Sequence, residues 1–264
     1  MAKSDSAAYN LIINHVFSKR HTPGDVEFSF NRDDILEGRD LYAKHLQRLN
    51  AGDVNYHFNN RGSFPQEIQQ TQPSGKKWVI FGAGRAKYKF KLVSSARIVP
   101  NPRMMPILIP DSTPEIIRAY ALTDEQALLA IIRYNRLLDI FLGIATYSLQ
   151  NHLRTSVTGI GQIEIDELYV GVDKRGCHYL IPVQAKGGKD ETGIVQVTQD
   201  ISYAADRFPD MRCKAVAVQF MPGDVVAMFH LTIEGDELMI VEERHYKLVP
   251  HTGLDKSKMT NYID

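Results

Sequence analysis

The clearest hydrophobic pattern in the chain lies in Ile163–Gly188, where two mainly apolar segments flank the polar loop Lys174–Gly176. A three-residue loop with glycine in third place is typical of a β-hairpin, because that position takes a left-handed conformation. With this loop Asp173 faces Cys177, and the pairing of the two predicted strands is symmetric about Arg175.

Four polar side chains fall near the ends of these strands. The symmetry places Asp166 opposite Gln184. It also places Glu164 opposite Lys186. Because side chains alternate between the faces of a strand, all four are predicted to emerge on one side of the hairpin. Burying two carboxylates, an amide and an ammonium together is costly without a task, so this set is a candidate site for metal-assisted hydrolysis.

The pattern before the hairpin predicts a small N-terminal module, residues 1–75. Its expected elements are a helix over Ala7–Lys19, a strand over Val26–Phe30, a helix capped by Asn31 that runs to Leu49, and an extended piece over Asp53–Asn60. Helices followed by a basic β-ribbon, which is expected within residues 76–103, would suit a winged-helix-like DNA-reading module. The alternative is a subdomain that only wraps the core.

The rest of the chain, residues 76–264, predicts a larger core with the basic ribbon at its start. A long helix opened by the capping box Thr123-x-x-Gln126 is expected to run to about Leu153, broken or bent near Gly143. The remaining expected elements are a helix over Gly193–Ala205 and strands over Cys213–Phe220, Val225–Ile233 and Glu237–Val249. The fold class is therefore α/β, with a mixed central sheet flanked by helices.

Positive charge is concentrated in one stretch: Lys76–Arg103 holds eight basic residues and no acidic one. Lysines and apolar residues alternate from Lys87 through Lys89 and Lys91, so a strand here would carry the lysines on one face. These lysines, with Arg85, are predicted to contact the phosphates of DNA. The alternative is an edge strand that lysine protects from aggregation.

Composition sets the class of protein. The 264 residues carry 31 acidic and 31 basic side chains and 44% hydrophobic residues, as is ordinary for a globular protein. The N-terminus shows no apolar signal core and no segment is apolar enough for a membrane span, so a cytoplasmic protein is expected. Serine-hydrolase, ATPase and zinc-protease motifs are absent from the sequence. Cys177 and Cys213 match no zinc pattern and are expected to be reduced thiols.

Asp166 on one strand and Gln184-x-Lys186 on the next resemble the motif of the PD-(D/E)xK nuclease superfamily, which includes many restriction endonucleases. The likeness covers roughly residues 161–203. Two departures stand out: Gln184 occupies a position where the family usually has Asp or Glu, and no proline precedes Asp166.

The resemblance implies that Asp166, Gln184 and the Ala185 carbonyl hold Mg²⁺, a cation that prefers oxygen ligands, with Glu164 as a further metal ligand. Lys186 would orient the attacking water or stabilise charge on the phosphate.

It also implies supporting roles for Gln199 and Tyr203, which lie four residues apart on the following helix, and for Gln196 one turn earlier.

Two acids are in reserve. Pro182 cannot donate to a strand ladder, which predicts an edge strand or a bulge, and a bulge would bring Glu167 towards Gln184 in place of Asp166. Glu125, at the start of the long helix, is a weaker candidate for an acidic ligand. The simpler interpretation of Glu125 is an acid favoured there by the helix dipole.

The expected function is a Mg²⁺-dependent DNA endonuclease of the restriction type. It would act as a homodimer because two strands must be cut, and a cognate methyltransferase partner is not readable from the chain. The alternatives are a repair nuclease or junction resolvase, and a DNA-binding protein whose nuclease site has decayed. The glycines after Trp78 suggest a dinucleotide-binding turn, but the continuation is strand-like and disfavours it.

Overall fold

The computed structural model describes residues 3–120, 125–188, 190–250 and 252, so the last residues of the predicted core lie outside the described part. The helices are α1 (Lys3–Arg20), α2 (Arg32–Tyr42), α3 (Ala51–Tyr56), α4 (Gln66–Gln69), α5 (Glu115–Tyr120), α6 (Glu125–Tyr134), α7 (Leu137–Leu142) and α8 (Ile194–Arg207), and a π-helical turn at His57–Arg61 follows α3. None of the helices in this part of the chain combines the length and the apolarity that a bilayer crossing requires.

The strands are β1 (Glu27–Asn31), β2 (Lys77–Gly82), β3 (Lys87–Val93), β4 (Arg97–Ile98), β5 (Ile107–Pro110), β6 (Ala145–Val157), β7 (Gly161–Val172), β8 (His178–Lys186), β9 (Thr192–Gly193), β10 (Arg212–Cys213), β11 (Ala215–Met221), β12 (Val225–Glu234) and β13 (Glu237–Val249). The chain divides into two compact units. The first comprises Met1–Ile98, Arg154–Ile163 and Gly193–Gln199, and the second comprises Val99–Leu153, Glu164–Thr192 and Asp200–Asp264.

An antiparallel sheet in the order β1-β3-β2 forms the first unit together with α1 and α2. Its core is aromatic: the ring of Phe17 on α1 lies 5.6 Å from Trp78 and 5.3 Å from Phe90. Asn31 begins α2 through a reciprocal capping box with Asp34, as the asparagine cap predicts. The helix ends at Tyr42, however, and not at the predicted Leu49.

The basic ribbon belongs to this first unit, whereas the sequence placed it at the start of the larger core. Its alternation is confirmed, because Phe90 on β3 is buried in the core while Lys87 is exposed. Since β3 is the middle strand of the sheet, the interpretation as a protected edge strand is wrong. Lys89 forms an ion pair with Glu27 on β1 at 3.0 Å.

The second unit contains a mixed sheet in the order β5-β13-β12-β11-β8-β7-β6, with β10 beside β8. Strands β8 and β11 run parallel, as do β5 and β13, whereas β7–β8, β11–β12 and β12–β13 are antiparallel. Helices α6 and α7 pack their apolar side chains on one face of this sheet. The α/β class with a mixed sheet flanked by helices is confirmed.

Two segments differ from the predicted elements. Asp53–Asn60 is helical, not extended: Asn50 caps α3 by accepting from the backbone N–H of Gly52, and the π-helical turn follows. The long helix does not continue to Leu153, because Gly143 ends α7 in a left-handed conformation and the chain then enters β6.

Pro182 lies in neither an edge strand nor a bulge, so that prediction is wrong. Strand β8 has neighbours on both sides, and Pro182 pairs with Leu168 without a shift of register. On the other side, β10 pairs with β8 only as far as Leu180, and the pairing of β8 with β11 begins at Val183. The missing N–H of the proline therefore falls in a gap between two paired stretches.

Candidate active site

The β7–β8 hairpin has the predicted register. Pairing runs from Val172 opposite His178 to Glu167 opposite Val183, and the backbone N–H of Asp173 donates to the Cys177 carbonyl at 3.1 Å. Gly176 takes the left-handed conformation, with φ of 78°. The short loop fixes the register and thereby decides which residues reach the end of the hairpin together.

At that end, side chains replace the backbone ladder. Asp166 Oδ2 accepts the backbone N–H of Ala185 at 2.8 Å. In the opposite direction, Gln184 Nε2 donates to the backbone carbonyl of Glu164 at 3.0 Å. The two crossed hydrogen bonds hold Asp166 and Gln184 against each other's strand, on the strand face where the sequence placed them.

Lys186 joins this end of the hairpin to helix α6. Its Nζ lies 3.6 Å from Glu125 Oε1 at the first residue of that helix, with its side chain 11% exposed. The sequence placed Glu164 opposite Lys186 and kept Glu125 in reserve. In the structure the carboxylate beside the ammonium is that of Glu125.

The pKa of the Asp166 carboxyl is perturbed by its surroundings. Burial raises the pKa of its carboxyl above the ordinary value, the Ala185 N–H and the charge of Lys186 lower it, and the charge of Glu125 raises it again. A carboxylate that is partly desolvated and close to both an ammonium and a second carboxylate is typical of a catalytic site.

Glu164 lies at the margin. Its side chain is 41% exposed, and its Oε1 is 3.0 Å from His152 Nδ1 on β6. In the structure, Glu164 contacts the site through its backbone carbonyl, which accepts a hydrogen bond from Gln184 and orients that side chain. Its role as a metal ligand stays a prediction.

Asp200 on α8 is a member of the cluster that the sequence reasoning missed. It is 1% exposed, and its Oδ2 accepts a hydrogen bond from Gln184 Nε2 at 2.9 Å. Burial raises the pKa of Asp200 well above its ordinary value, the hydrogen bond from Gln184 lowers it, and the charge of Asp166 raises it. Burial and the charge of Asp200 also raise the pKa of the Cys213 thiol to about 12.

A signal for Asp200 was present in the sequence. Buried Val197 and Ala204 lie three residues before and four residues after it, so Asp200 occupies the apolar face of an amphipathic helix. An acid on such a face needs a partner.

Glu167 does not belong to this site, so the reserve role that a bulge would have given it is wrong. Its side chain is fully buried on the opposite face of β7, where Oε1 accepts from Ser148 at 2.6 Å and lies 3.3 Å from Arg133 Nε. Arg133 and Ser148 line a cavity of about 350 Å³ there, together with Tyr169. Burial and the nearby Glu167 carboxylate raise the pKa of Tyr169.

The predicted supporting residues lie on α8 as expected. Tyr203 is buried, with its ring 6.0 Å from Phe208 in an edge-to-face contact. Gln196 Oε1 is buried without a hydrogen-bond partner, and Gln199 is partly exposed one residue before Asp200. Their contribution to the site stays a prediction.

The cluster offers few charged ligands to a metal. Within the described part of the chain, no group of three His, Cys, Asp or Glu side chains is arranged to hold an ion. The oxygens that remain suitable are the Asp166 and Glu125 carboxylates, the Ala185 carbonyl and Gln184 Oε1, which is buried without a hydrogen-bond partner. Such a hard, all-oxygen set fits Mg²⁺ or Mn²⁺ completed by water and substrate oxygens.

Comparison with known proteins finds no family model, no curated protein and no solved structure that matches this chain.

Proposed function

We propose that this protein is a Mg²⁺-dependent DNA endonuclease of the restriction type, with a restriction-endonuclease-like core. The observation that carries the proposal is the meeting of Asp166, Lys186 and Glu125 at the end of the β7–β8 hairpin, beside the unpartnered oxygen of Gln184. The resemblance of Asp166 and Gln184-x-Lys186 to the PD-(D/E)xK motif points the same way.

The charges suit a phosphodiester substrate. Asp166, Glu125 and Lys186 together carry a single net negative charge, which a divalent cation and one phosphodiester would balance, with the buried Asp200 set apart behind Gln184. Because the net charge of the site is negative, it attracts the cation first. The bound cation then allows the negatively charged DNA backbone to approach.

The residues divide the work as follows. Asp166, Glu125, Gln184 Oε1 and the Ala185 carbonyl would hold the ion, which when bound lowers the pKa of a coordinated water and neutralises phosphate charge. Lys186 presents a compact positive charge that stabilises the developing negative charge and orients the attacking water. The ion pair of Lys186 with Glu125 keeps the ammonium in place before substrate binds.

DNA contacts are proposed for the lysine face of β3, with Arg85, in the first unit. A homodimer is proposed because a double-strand cut needs two sites. Analytical ultracentrifugation of the protein–DNA complex should give two protein chains per DNA duplex.

Plasmid cleavage tests the function. Supercoiled plasmid with Mg²⁺ should be converted to linear DNA or discrete fragments, and EDTA should stop the reaction. Asp166→Asn and Lys186→Met should each lower the rate by about 100-fold or more, because the first removes a charged metal ligand and the second removes the positive charge that stabilises the reacting phosphate. The matched controls are Asp224→Asn in the β11–β12 turn and Lys174→Met in the β7–β8 turn. Both residues are exposed, and both variants should cleave the plasmid at the wild-type rate.

The outcomes separate the alternatives. Preferential cleavage of branched DNA would indicate a junction resolvase in place of a restriction enzyme. A plasmid left intact with Mg²⁺ and with Mn²⁺, but shifted in a gel, would overturn the nuclease and favour a DNA-binding protein with a decayed site.

A further inference from the structure

The side chain of Gln184 has only one free hydrogen-bonding function. Its Nε2 donates to Asp200 Oδ2 at 2.9 Å and to the Glu164 carbonyl at 3.0 Å, which uses both amide hydrogens. Its Oε1 is buried and has no hydrogen-bond partner. A buried amide oxygen without a partner costs free energy unless something occupies it in the working protein.

The orientation of this amide is set by its neighbours. Both groups that contact the nitrogen, the Asp200 carboxylate and the Glu164 carbonyl, are acceptors. Exchanging the amide oxygen and nitrogen would place the amide oxygen against the Glu164 carbonyl oxygen, which is repulsive, so the flipped orientation is disfavoured. The side chain therefore presents its oxygen, not its nitrogen, as the free end.

Asp200 is built into this position by packing. It is 1% exposed on α8, and its other oxygen, Oδ1, is also buried without a hydrogen-bond partner. A buried acid with a single amide donor contributes poorly to stability by itself. Its geometry is better explained by what it does to Gln184.

We propose that Asp200 is a positioning residue that fixes the Gln184 amide so that Oε1 is presented to the divalent cation of the site. This inference rests on the proposed nuclease function. It also explains the departure from the PD-(D/E)xK motif: an acid at position 184 would meet a buried carboxylate at the distance where the amide now donates. Gln184 and Asp200 thus form a matched pair in which a neutral ligand is supported by an acid behind it.

Exchanging the amide and the acid tests the pairing. The variants are Asp200→Leu, Asp200→Asn, Gln184→Glu and the double variant Gln184→Glu/Asp200→Asn. Mn²⁺ binding to the DNA-free protein is measured by electron paramagnetic resonance, together with the melting temperature and plasmid cleavage. Glu167→Gln is the matched control, because it changes a buried acid on the opposite face of β7.

Asp200→Leu, which removes the acceptor, should weaken Mn²⁺ binding by about 10-fold or more, as losses behind a metal ligand do. Asp200→Asn retains an acceptor oxygen and should stay within about 3-fold of the wild type. Gln184→Glu should also weaken Mn²⁺ binding by about 10-fold. Adding Asp200→Asn to it should restore part of the binding, because the new amide can donate to the new carboxylate while the Glu164 carbonyl still lacks its donor.

The decisive result is that Asp200→Asn strengthens Mn²⁺ binding only in the Gln184→Glu background. A merely structural Asp200 would change the melting temperature alike in both backgrounds and leave Mn²⁺ binding uncoupled, as Glu167→Gln should. The proposal is overturned if Gln184→Glu binds Mn²⁺ as tightly as the wild type, or if Asp200→Asn does not improve it. Neither outcome depends on Asp200→Leu folding. Failure of the nuclease function is seen separately, as a wild type that binds Mn²⁺ but leaves the plasmid intact.

Discussion

Asp166 and Glu167 are neighbours in β7, yet each carboxylate serves a different face of the sheet. Asp166 is partly exposed beside Lys186 and Glu125, whereas Glu167 is fully buried between Ser148 and Arg133. Period-two alternation of side chains in the strand creates this separation. It predicts that substitutions at the two positions have different consequences, on activity for Asp166 and on stability for Glu167.

The stability effect can be isolated through Arg133. Arg133→Met should lower the free energy of unfolding by about 3 kcal/mol, because it leaves the Glu167 carboxylate buried without its cation. Adding Glu167→Gln should recover more than half of the loss, since it removes the unpaired charge. Urea unfolding of both single variants and the double variant measures this coupling. Additive losses would show that Arg133 and Glu167 do not act as a pair.

At the scale of elements, local signals identified the hairpin and misplaced other segments. The loop ending in Gly176 and the apolar strands around it specify β7 and β8 almost without tertiary information. Asp53–Asn60 was predicted as extended but is helical because Asn50 caps it and the first core packs against it. Strand β6 was mistaken for helix because the apolar run before it continued the helical pattern past Gly143.

The candidate site, like the elements, could be predicted only in part from the sequence. Asp166, Gln184 and Lys186 follow from the register of one hairpin. Asp200 and the ion pair between Lys186 and Glu125 depend on how separate helices pack against the sheet, which spacing along the chain does not encode.

Two glycines in turns and strands should differ sharply in their tolerance of a side chain. A Cβ on Gly82, at the end of β2, would lie 2.3 Å from the backbone oxygen of Ile160. Gly82→Ala should therefore cost about 3 kcal/mol of unfolding free energy through overpacking. Gly176→Ala meets no atom within 4 Å and carries only its left-handed strain, about 1 kcal/mol. Equal losses in thermal or urea unfolding would contradict the close approach at Gly82.

The lysine face of β3 should control nonspecific DNA affinity. The triple variant Lys87→Gln/Lys89→Gln/Lys91→Gln should weaken binding to a duplex of any sequence and reduce the slope of log affinity against log salt by up to about 3. Fluorescence anisotropy over a salt series measures both. Lys174→Gln in the β7–β8 turn is the matched control, and an unchanged slope in the triple variant would remove β3 from the DNA interface.

At the scale of the whole molecule, each compact unit has its own hydrophobic core and a histidine whose pKa is lowered by burial. Burial and Lys214 lower the pKa of His230 from 6.5 to about 4. Burial and Arg61 lower the pKa of His57. Asp166 and Asp200, whose pKa values are raised, contribute to the pH dependence with the opposite sign, so total stability mixes both effects.

Histidine substitutions separate these contributions. A histidine with a lowered folded-state pKa binds its proton more tightly when unfolded, so its contribution to stability is largest above pH 6.5 and declines as the pH falls towards about 4. His230→Gln should therefore flatten the decline in unfolding free energy between about pH 7 and pH 5, by less than the roughly 1.4 kcal/mol per pH unit of one full proton, because His230 is partly exposed. His57→Gln should act in the same direction. Urea unfolding across this range, with exposed His45→Gln as the control, measures the slopes. A His230→Gln slope equal to that of the wild type would show that the imidazole at position 230 titrates as freely in the folded protein as in the unfolded chain.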